Sequence, residues 1–506
     1  MRLENTFVAE LPADPEPANV PRQVRNACYT RVAPTPVAAP RLLGWSDDMG
    51  RLLDIPRPAT GRDPMLELLA GNRVLPGMEP YAARYGGHQF GHWAGQLGDG
   101  RAITLAEVVA TDGGRLELQL KGAGRTPYSR TADGRAVLRS SLREFLCSEA
   151  MHWLGVPTTR ALSLVGTGES VIRDMFYDGN PSPEPGAVVC RVSPSFVRFG
   201  NFQILTANRE HDALTRLADY VMRRHFPGVE GYAAFYQEVC RRTARLMVDW
   251  MRLGFVHGVM NTDNMSILGL TIDYGPYGWL EGYDPSWTPN TTDAEGRRYC
   301  YGNQPHIAQW NLARLAEALM PLIPEQKVLE DGLTEYAEIF NEGWKAALAA
   351  KLGVTALDQP EDDALVKDML ELFRRVETDF TLFFRNLAKV TAPSLDPLLP
   401  AFYAEPDAAT RAALEEWLRR YLDRVKGVPD RKAAMDRVNP RYVFRNYLAQ
   451  LAIDAIEQRD DTSVLERLMA ALKRPYEEQP EHEDLAARRP EWARHRAGCS
   501  ALSCSS

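Results

Sequence analysis

The stretch "HGVMNTDN" spans residues 257–264, and the string "DYG" begins nine residues after its last residue, at Asp273. Asn264 and Asp273 both offer hard oxygen ligands. Mg²⁺ takes one or two such ligands from a protein and completes its shell with phosphate oxygens and water. The intervening "MSILGLTI" is short and apolar, as expected of a hairpin that would bring the two polar residues together. The pair therefore predicts a metal site suited to phosphate chemistry.

The same two strings are similar to the catalytic loop H-R-D-L-x-x-x-N and the D-F-G motif of protein kinases. The position that holds the catalytic Asp in that loop is Val259 here. Asp263 directly precedes Asn264, and it is the acid best placed to serve as the general base instead. His257 is more typical of a structural histidine than of a catalytic one.

The chain around these strings changes from strand-like to helical character. "HQFGHWAGQL", "RAITLAEVVA" and "RLELQLK" are separated by Gly-rich turns and predict a three-stranded antiparallel meander. "VLRSSLREFLCSEAMHWLG" and "FYQEVCRRTARLMVDWMRLG" have helical spacing and end at Gly155 and Gly254. Helical patterns dominate from about residue 205 onward. This order predicts an α+β class with a bilobal, protein-kinase-like fold, in which a β-rich N-lobe precedes a large helical C-lobe.

Composition suggests four regions. Residues 1–80, rich in Pro and Ala, are expected to be an extended segment that packs on the lobes. Residues 81–200 are expected to form the β-rich nucleotide-binding lobe, and residues 201–490 the helical lobe with the metal and catalytic motifs. Residues 491–506 are expected to form a mobile tail that contains cysteines.

Three further constellations fit a nucleotide site, and each has an ordinary structural alternative. "GQLGDGR", which ends at Arg101, brings backbone N–H groups close to phosphates, but Gly-rich hairpin turns are common. Lys121 at a strand end and Glu144 on the next helix match the kinase Lys–Glu pair, although they could be surface charges. Arg191 and Arg198 could clamp phosphate oxygens, or they could be solvated residues that flank a turn.

The bulk composition narrows the class of protein. A net charge of −8 argues against a nucleic-acid binder. No run of 18 apolar residues and no secretory h-region is present, so no membrane partner is expected and a cytoplasmic location is predicted. The seven cysteines are scattered without a C-x-x-C pair, which fits neither a zinc site nor a disulfide framework. Nothing in the sequence requires more than a monomer.

Taken together, these motifs resemble those of the selenoprotein O (SelO/YdiU) family, pseudokinase-fold enzymes that adenylylate proteins. The resemblance rests on "YGGHQFGHWAGQLGDGRAITLAEV", "LQLKGAGRTPYSRTADGRAVLRSSLREFL", "NTDNMSILGLTIDYGPYG" and the terminal "CSS", and it covers essentially the whole chain. It implies that AMP is transferred from ATP to a Ser, Thr or Tyr hydroxyl of a protein and that pyrophosphate leaves. In this family ATP is inverted relative to kinases, so that the α-phosphate faces the substrate.

The resemblance also implies roles for individual residues. Asp263 matches the proton acceptor, and Asn264 and Asp273 match the ligands of Mg²⁺, with Mn²⁺ as an alternative metal. Glu144 is expected to orient Lys121. The expected nucleotide-binding residues are Gly98, Gly100, Arg101, Lys121, Asp133, Gly134, Arg191, Arg198 and Asp273.

The tail carries a further implication of the resemblance. Cys504 stands third from the end, where many members carry selenocysteine, and it suggests a regulatory disulfide to the segment after "DYG". The partner cysteine expected just before Asn290 is replaced by Pro289. A bridge from Cys504 to Cys300 and one to Cys499 remain alternatives. For the function as a whole, the alternatives are a protein kinase with a relocated base and an ATP-binding pseudokinase scaffold without catalysis.

Overall fold

The computed structural model describes residues 1–59, 61 and 63–503. In this part of the chain the protein has a mixed α+β structure, in which many helices accompany one large antiparallel sheet. The predicted α+β class is therefore confirmed. None of the helices in these residues is both long enough and apolar enough to cross a lipid bilayer.

The main sheet joins strands from the first two fifths of the chain. Its strands are β1 (Arg2–Leu3), β2 (Tyr29–Arg31), β3 (Arg41–Trp45), β4 (Tyr81–Ala83), β7 (Ala102–Val109), β8 (Arg115–Lys121), β9 (Ala136–Val137), β10 (Arg160–Arg173) and β11 (Ser182–Ser193). Their order is β2-β4-β7-β8-β11-β10-β3, with β1 paired to β7 and β9 paired to β11. In the register of β8 and β11, Lys121 lies opposite Val189 and Gln119 lies opposite Arg191. Because side chains alternate along a strand, Lys121 and Gln119 project from the same face.

Two small two-stranded antiparallel sheets stand apart from this sheet. They are β5 (Gly86–Gln89) with β6 (His92–Gln96), and β12 (Phe255–Val256) with β13 (Gly278–Trp279). The predicted meander is confirmed for β7 and β8, but it is wrong for "HQFGHWAGQL", which folds back on itself. The physical reason is the turn at Phe90 and Gly91, whose φ angles of +50° and +89° fit the tight turns that join antiparallel strands.

Most of the helices follow the strands of the main sheet in the chain. They are α1 (Thr6–Glu10), α2 (Asp47–Leu53), α3 (Pro64–Leu69), α4 (Leu138–Trp153), α5 (Phe199–Ala207), α6 (His211–His225), α7 (Gly231–Leu253), α8 (Gln304–Leu319), α9 (Gln326–Leu352), α10 (Asp362–Arg375), α11 (Phe380–Leu387), α12 (Ala408–Arg424), α13 (Arg431–Val438), α14 (Asn446–Arg459) and α15 (Ser463–Leu472). As predicted, α7 ends at Gly254, which adopts a left-handed conformation at φ 72°.

Helix α4 anchors the sheet to the rest of the molecule. Its apolar residues Leu142, Phe145 and Leu146 are fully buried, and the helix packs against β10 and β11. Glu144 lies on this buried helix and is itself only 1% exposed. A buried carboxylate needs a cationic or hydrogen-bonding partner. The position of Glu144 therefore points to a charged site beneath the sheet.

The two ends of the chain contain secondary structure and buried residues. Residues 1–80, expected to be extended, contribute β1 to β3 and α1 to α3. In the tail, Ala493, Cys499 and Leu502 are buried, and the Leu502 N–H donates to the carbonyl of Pro289 (3.0 Å). The domain boundaries and the mobility of the tail stay predictions. Cys504 lies outside the described residues.

Candidate functional site

A cleft of about 580 Å³ lies between the main sheet and the segment that carries "HGVMNTDN" and "DYG". Most of the predicted site residues line it. These are Gly98, Gly100, Arg101, Lys121, Asp133, Gly134, Arg191, Asp263, Asn264 and Asp273. The other two, Glu144 and Arg198, stand behind the lining and contact residues in it. The fold thus brings the twelve residues predicted for catalysis, nucleotide binding and metal binding to one place.

Lys121 and Glu144 form a buried ion pair at the base of the cleft. Glu144 also accepts a hydrogen bond from Arg191 Nη1 at 3.0 Å. Burial lowers the pKa of the Lys121 ammonium group, although Glu144 opposes this effect. Burial would raise the pKa of Glu144, but the charges of Lys121 and Arg191 hold it below its ordinary value. Lys121 is therefore held in place at the cleft by its ion pair with Glu144.

Asp273 forms ion pairs with two arginines. Arg191 Nη1 lies 2.5 Å from Asp273 Oδ1, and Arg198 Nη1 contacts the other carboxylate oxygen. Burial opposes ionisation, but the neighbouring cations, Arg198 foremost, hold the pKa of Asp273 far below its ordinary value. The residue has a left-handed backbone conformation (φ 55°), which is uncommon outside glycine. Asp273 is thus an ionised carboxylate with a fixed orientation.

Asp263 and Asn264 lie in a 3-10 turn (Thr262–Asn264) on the opposite wall. Gln89 Nε2 donates to Asp263 Oδ2 (3.1 Å), whereas Oδ1 is buried without a hydrogen-bond partner. Burial raises the pKa of Asp263 to about 6. The amide of Asn264 donates to the carbonyl of Val259 (2.9 Å), which leaves its Oδ1 as the available ligand atom. Asp263 therefore has the free oxygen and the raised pKa that a general base needs.

The glycine-rich loop lies close to another loop of the same wall. A Cβ atom at Gly98 would lie 2.5 Å from the Tyr128 ring, and its φ of +120° also disfavours other residues. At Gly134 (φ +74°) a Cβ atom would lie 2.2 Å from the backbone of Gly124. These glycines let the two loops approach each other closely, so that backbone groups can face the cleft. Arg101 follows the glycine-rich loop and lines the cleft, and no carboxylate of the described residues lies within 4 Å of it.

Asp133 is engaged at the rim of the cleft. Its two oxygens accept hydrogen bonds from Arg173 Nη1 and Nη2, each at 2.7 Å. Burial alone would raise the pKa of Asp133, but its pairing with Arg173 lowers that pKa below the ordinary value. A role for Asp133 in binding the nucleotide would require it to share or exchange this partner.

The residues present fit a hard divalent cation. Asn264 and Asp273 line the same cleft and supply one amide oxygen and one carboxylate. The described residues contain no group of three or more His, Cys, Asp and Glu side chains suited to a metal. Two protein ligands suit Mg²⁺, which keeps waters and phosphate oxygens in its shell, better than a metal that needs an all-protein cage.

Sequence reasoning missed several polar residues that support this site. Gln89 contacts Asp263, Gln119 accepts from Arg191 Nη2, and the Tyr85 ring lies 4.5 Å from the Arg198 guanidinium. Gln119 could have been found, because it stands two residues before Lys121 on a strand and so faces the same side. Nothing in the sequence marks Gln89, since its contact spans 174 residues.

Two of the three cysteines in the predicted disulfides, Cys300 and Cys499, lie within the described residues. Cys300 is half-buried, and Cys499 is buried. Cys504 lies outside the described residues, so the bridges proposed to it stay predictions.

Comparisons with known proteins agree with this chemistry. A family profile described as protein adenylyltransferase SelO matches residues 17–473. The protein nucleotidyltransferase YdiU of Nitrosospira multiformis is 63% identical over 545 residues, which cover 100% of this chain and 96% of the relative. Proteins of the same name from Aromatoleum aromaticum and Azoarcus sp. are each 59% identical, and the alignments cover 100% of this chain and 99% of each relative. The chain therefore belongs to the SelO family of protein adenylyltransferases.

Proposed function

We propose that the protein transfers AMP from ATP to Ser, Thr or Tyr hydroxyl groups of other proteins and releases pyrophosphate. One observation carries this proposal. Asp263, with a buried oxygen that has no hydrogen-bond partner, lines the same cleft as a cluster of fixed cations. Membership of the SelO family supports it. The protein is proposed to act as a cytoplasmic monomer, without nucleic acid or membrane partners.

The reaction needs one proton acceptor and one site for negative charge. Asp263 takes the proton of the acceptor hydroxyl, whose oxygen bonds to the α-phosphorus. The bond from that phosphorus to the α,β-bridging oxygen breaks, and the electron pair leaves with pyrophosphate. Lys121 and Arg191, which both line the cleft, stabilise the charge that develops on the leaving group. The protonated base returns its proton to solvent.

The remaining residues bind and orient the nucleotide. We assign Gly98, Gly100 and Gly134 to close backbone approach, and Arg101, Arg198 and Asp133 to charged contacts. Glu144 orients Lys121. Asn264 and Asp273 would hold Mg²⁺, or Mn²⁺, which when bound neutralises phosphate charge.

We further infer a bilobal, kinase-like arrangement. The main sheet with α4 would be the smaller lobe, and the helices from α5 onward the larger one. The ion pair between a strand lysine and a helix glutamate supports this, as does the position of "DYG" on the opposite wall of the cleft.

ATP labelled at either the α- or the γ-phosphate separates the candidate functions. Label that enters protein only from α-labelled ATP, with pyrophosphate released, is the expected result. Label that enters only from γ-labelled ATP would show a protein kinase with a relocated base. Bound ATP without transfer of either label would show a scaffold.

A further inference from the structure

The outer edge of the β5–β6 hairpin is open to solvent. Among the described residues β6 pairs only with β5, and no other backbone hydrogen bond reaches residues 92–95. His92, Trp93 and Ala94 are exposed, and Trp93 keeps 40% of its surface accessible. An edge strand of this kind presents free N–H and C=O groups with which an extended peptide can pair.

The hairpin is attached directly to the candidate base. The backbone N–H of His88 donates to Thr262 Oγ1 (2.7 Å), and Gln89 donates to Asp263. A peptide strand on the outer edge of β6 would lie two strand spacings, about 10 Å, from β5. About three extended residues span that distance. A hydroxyl a few residues from the docked strand could therefore reach Asp263.

An aromatic and basic surface adjoins this edge, and we call it the docking shelf. It consists of Trp93, His88, Trp310, Arg298 and Arg314. The His88 ring lies 5.1 Å from the Trp93 ring and 5.5 Å from the Trp310 ring. The guanidinium groups of Arg298 and Arg314 lie 4.7 Å and 5.1 Å from the centre of the Trp310 ring. The members therefore form one continuous patch.

Arg298 is the cation on the shelf that lacks an acidic partner. No carboxylate of the described residues lies within 4 Å of its guanidinium, and its Nε is buried without a hydrogen-bond partner. Arg314, in contrast, is paired with Glu317 at 2.8 Å. A guanidinium held against aromatic faces and left unpaired is suited to a carboxylate from outside.

We propose that the docking shelf binds an extended segment of the protein substrate with an acidic side chain within about five residues of its acceptor hydroxyl. The segment adds a strand to β6, and its carboxylate pairs with Arg298. This inference rests on the proposed function, because it assigns the substrate class of the same site.

The test uses the full-length protein, α-labelled ATP, Mg²⁺ and two synthetic peptides of equal length with one central tyrosine. One peptide carries Glu three residues to either side of the tyrosine, and the other carries Lys there. We expect kcat/KM for the Glu peptide to exceed that for the Lys peptide about five- to tenfold. Arg298→Glu should reverse this ratio, and the milder Arg298→Gln should bring it close to one.

Arg420→Glu is the matched control, since Arg420 is an exposed arginine on α12 paired with Asp368 of α10. It should keep the wild-type ratio. An Arg298→Glu variant that still prefers the Glu peptide, or a wild type that labels itself but favours neither peptide, would overturn the docking assignment alone. If the wild type transfers no α-label to peptides, to proteins or to itself, that result would contradict both the proposed function and this inference.

Discussion

Asp263 combines burial with an incomplete set of hydrogen bonds. Among the described residues, Gln89 is the side chain that donates to its carboxylate, whereas Asp273 on the opposite wall is held by two arginines. Burial alone favours the neutral form, so the pKa of Asp263 rises to about 6 while that of Asp273 falls far below its ordinary value. Two carboxylates in one cleft thus have pKa values shifted in opposite directions, because their surroundings differ, and this separation supports the proposed role of Asp263 as the proton acceptor.

Asp263→Asn tests this separation in two ways. We expect AMP transfer to slow by about 10²- to 10⁴-fold, as for the loss of a general base. Because the folded-state pKa of Asp263 is raised from 3.8 to about 6, its ionisation costs stability that grows between pH 4 and 6 and then stays constant. At pH 8 the variant should therefore melt at a higher temperature than the wild type, with a free energy of unfolding that is larger by about 2 to 3 kcal/mol at most. Near pH 4 the two proteins should melt at the same temperature.

Asp407→Asn provides a control of opposite sign. Asp407 caps α12 by accepting from the N–H of Thr410 (2.7 Å), and backbone hydrogen bonds lower its pKa. Its ionised form stabilises the fold above pH 4, so this variant should lose rather than gain stability at pH 8. Equal melting shifts for Asp263→Asn at pH 4 and pH 8 would contradict a raised pKa at Asp263.

At the scale of elements, the β5–β6 hairpin contacts Asp263, the proposed base. β5 contacts the 3-10 turn through Gly87 as well as through its hydrogen bonds. A Cβ atom at Gly87 would lie 2.3 Å from Asp263 Oδ1 and 2.8 Å from its Cγ. The absence of a side chain at residue 87 is therefore what lets the base approach the strand.

Gly87→Ala should displace the Asp263 carboxylate and reduce AMP transfer about 10- to 100-fold, because small misplacements of a reacting group are costly. The measurement is kcat with saturating Mg²⁺ and ATP, together with a melting curve to confirm folding. Gly296→Ala is the control, since the nearest atom to its Cβ would be 3.9 Å away. Full activity in Gly87→Ala would show that Asp263 does not act from this position.

At the scale of the whole molecule, three cations meet at the base of the cleft. Lys121, Arg191 and Arg198 contact Glu144 and Asp273 there. Cations held at one place attract anionic ligands, and an anion that binds the folded protein in this cleft should stabilise it.

We expect Mg²⁺ with ATP, and pyrophosphate alone, to raise the melting temperature more than AMP does. A ligand present at 100 times its Kd stabilises a protein by about 2.7 kcal/mol. Lys121→Met should remove most of this shift, and Lys432→Met, on an exposed lysine of α13, should keep it. An equal shift with AMP would argue that the cations do not bind the β- and γ-phosphates. Differential scanning fluorimetry measures each shift.

The tail gives a second prediction at this scale. The backbone of Leu502 pairs with Pro289 and Thr291, in the segment after "DYG". If Cys504 regulates the site through a disulfide, dithiothreitol should change the rate of AMP transfer in the wild type and not in Cys504→Ser. A response to dithiothreitol that persists in the variant would assign redox control to another thiol.

The sequence by itself determined the chemistry of the site. The glycines, Lys121, Glu144 and the "NTDN" and "DYG" strings carry recognisable residue types at spacings that local structure imposes, and all of them meet at the cleft. Three features were decided only by the tertiary structure. They are the hydrogen bond from Gln89 to Asp263, the ion pairs of two arginines with Asp273, and the separate β5–β6 hairpin. These features depend on burial and on contacts between residues far apart in the chain, and no local periodicity encodes either. Val259 illustrates the difference, because the missing acid is visible in the sequence, whereas the environment that fits Asp263 to replace it arises only from packing.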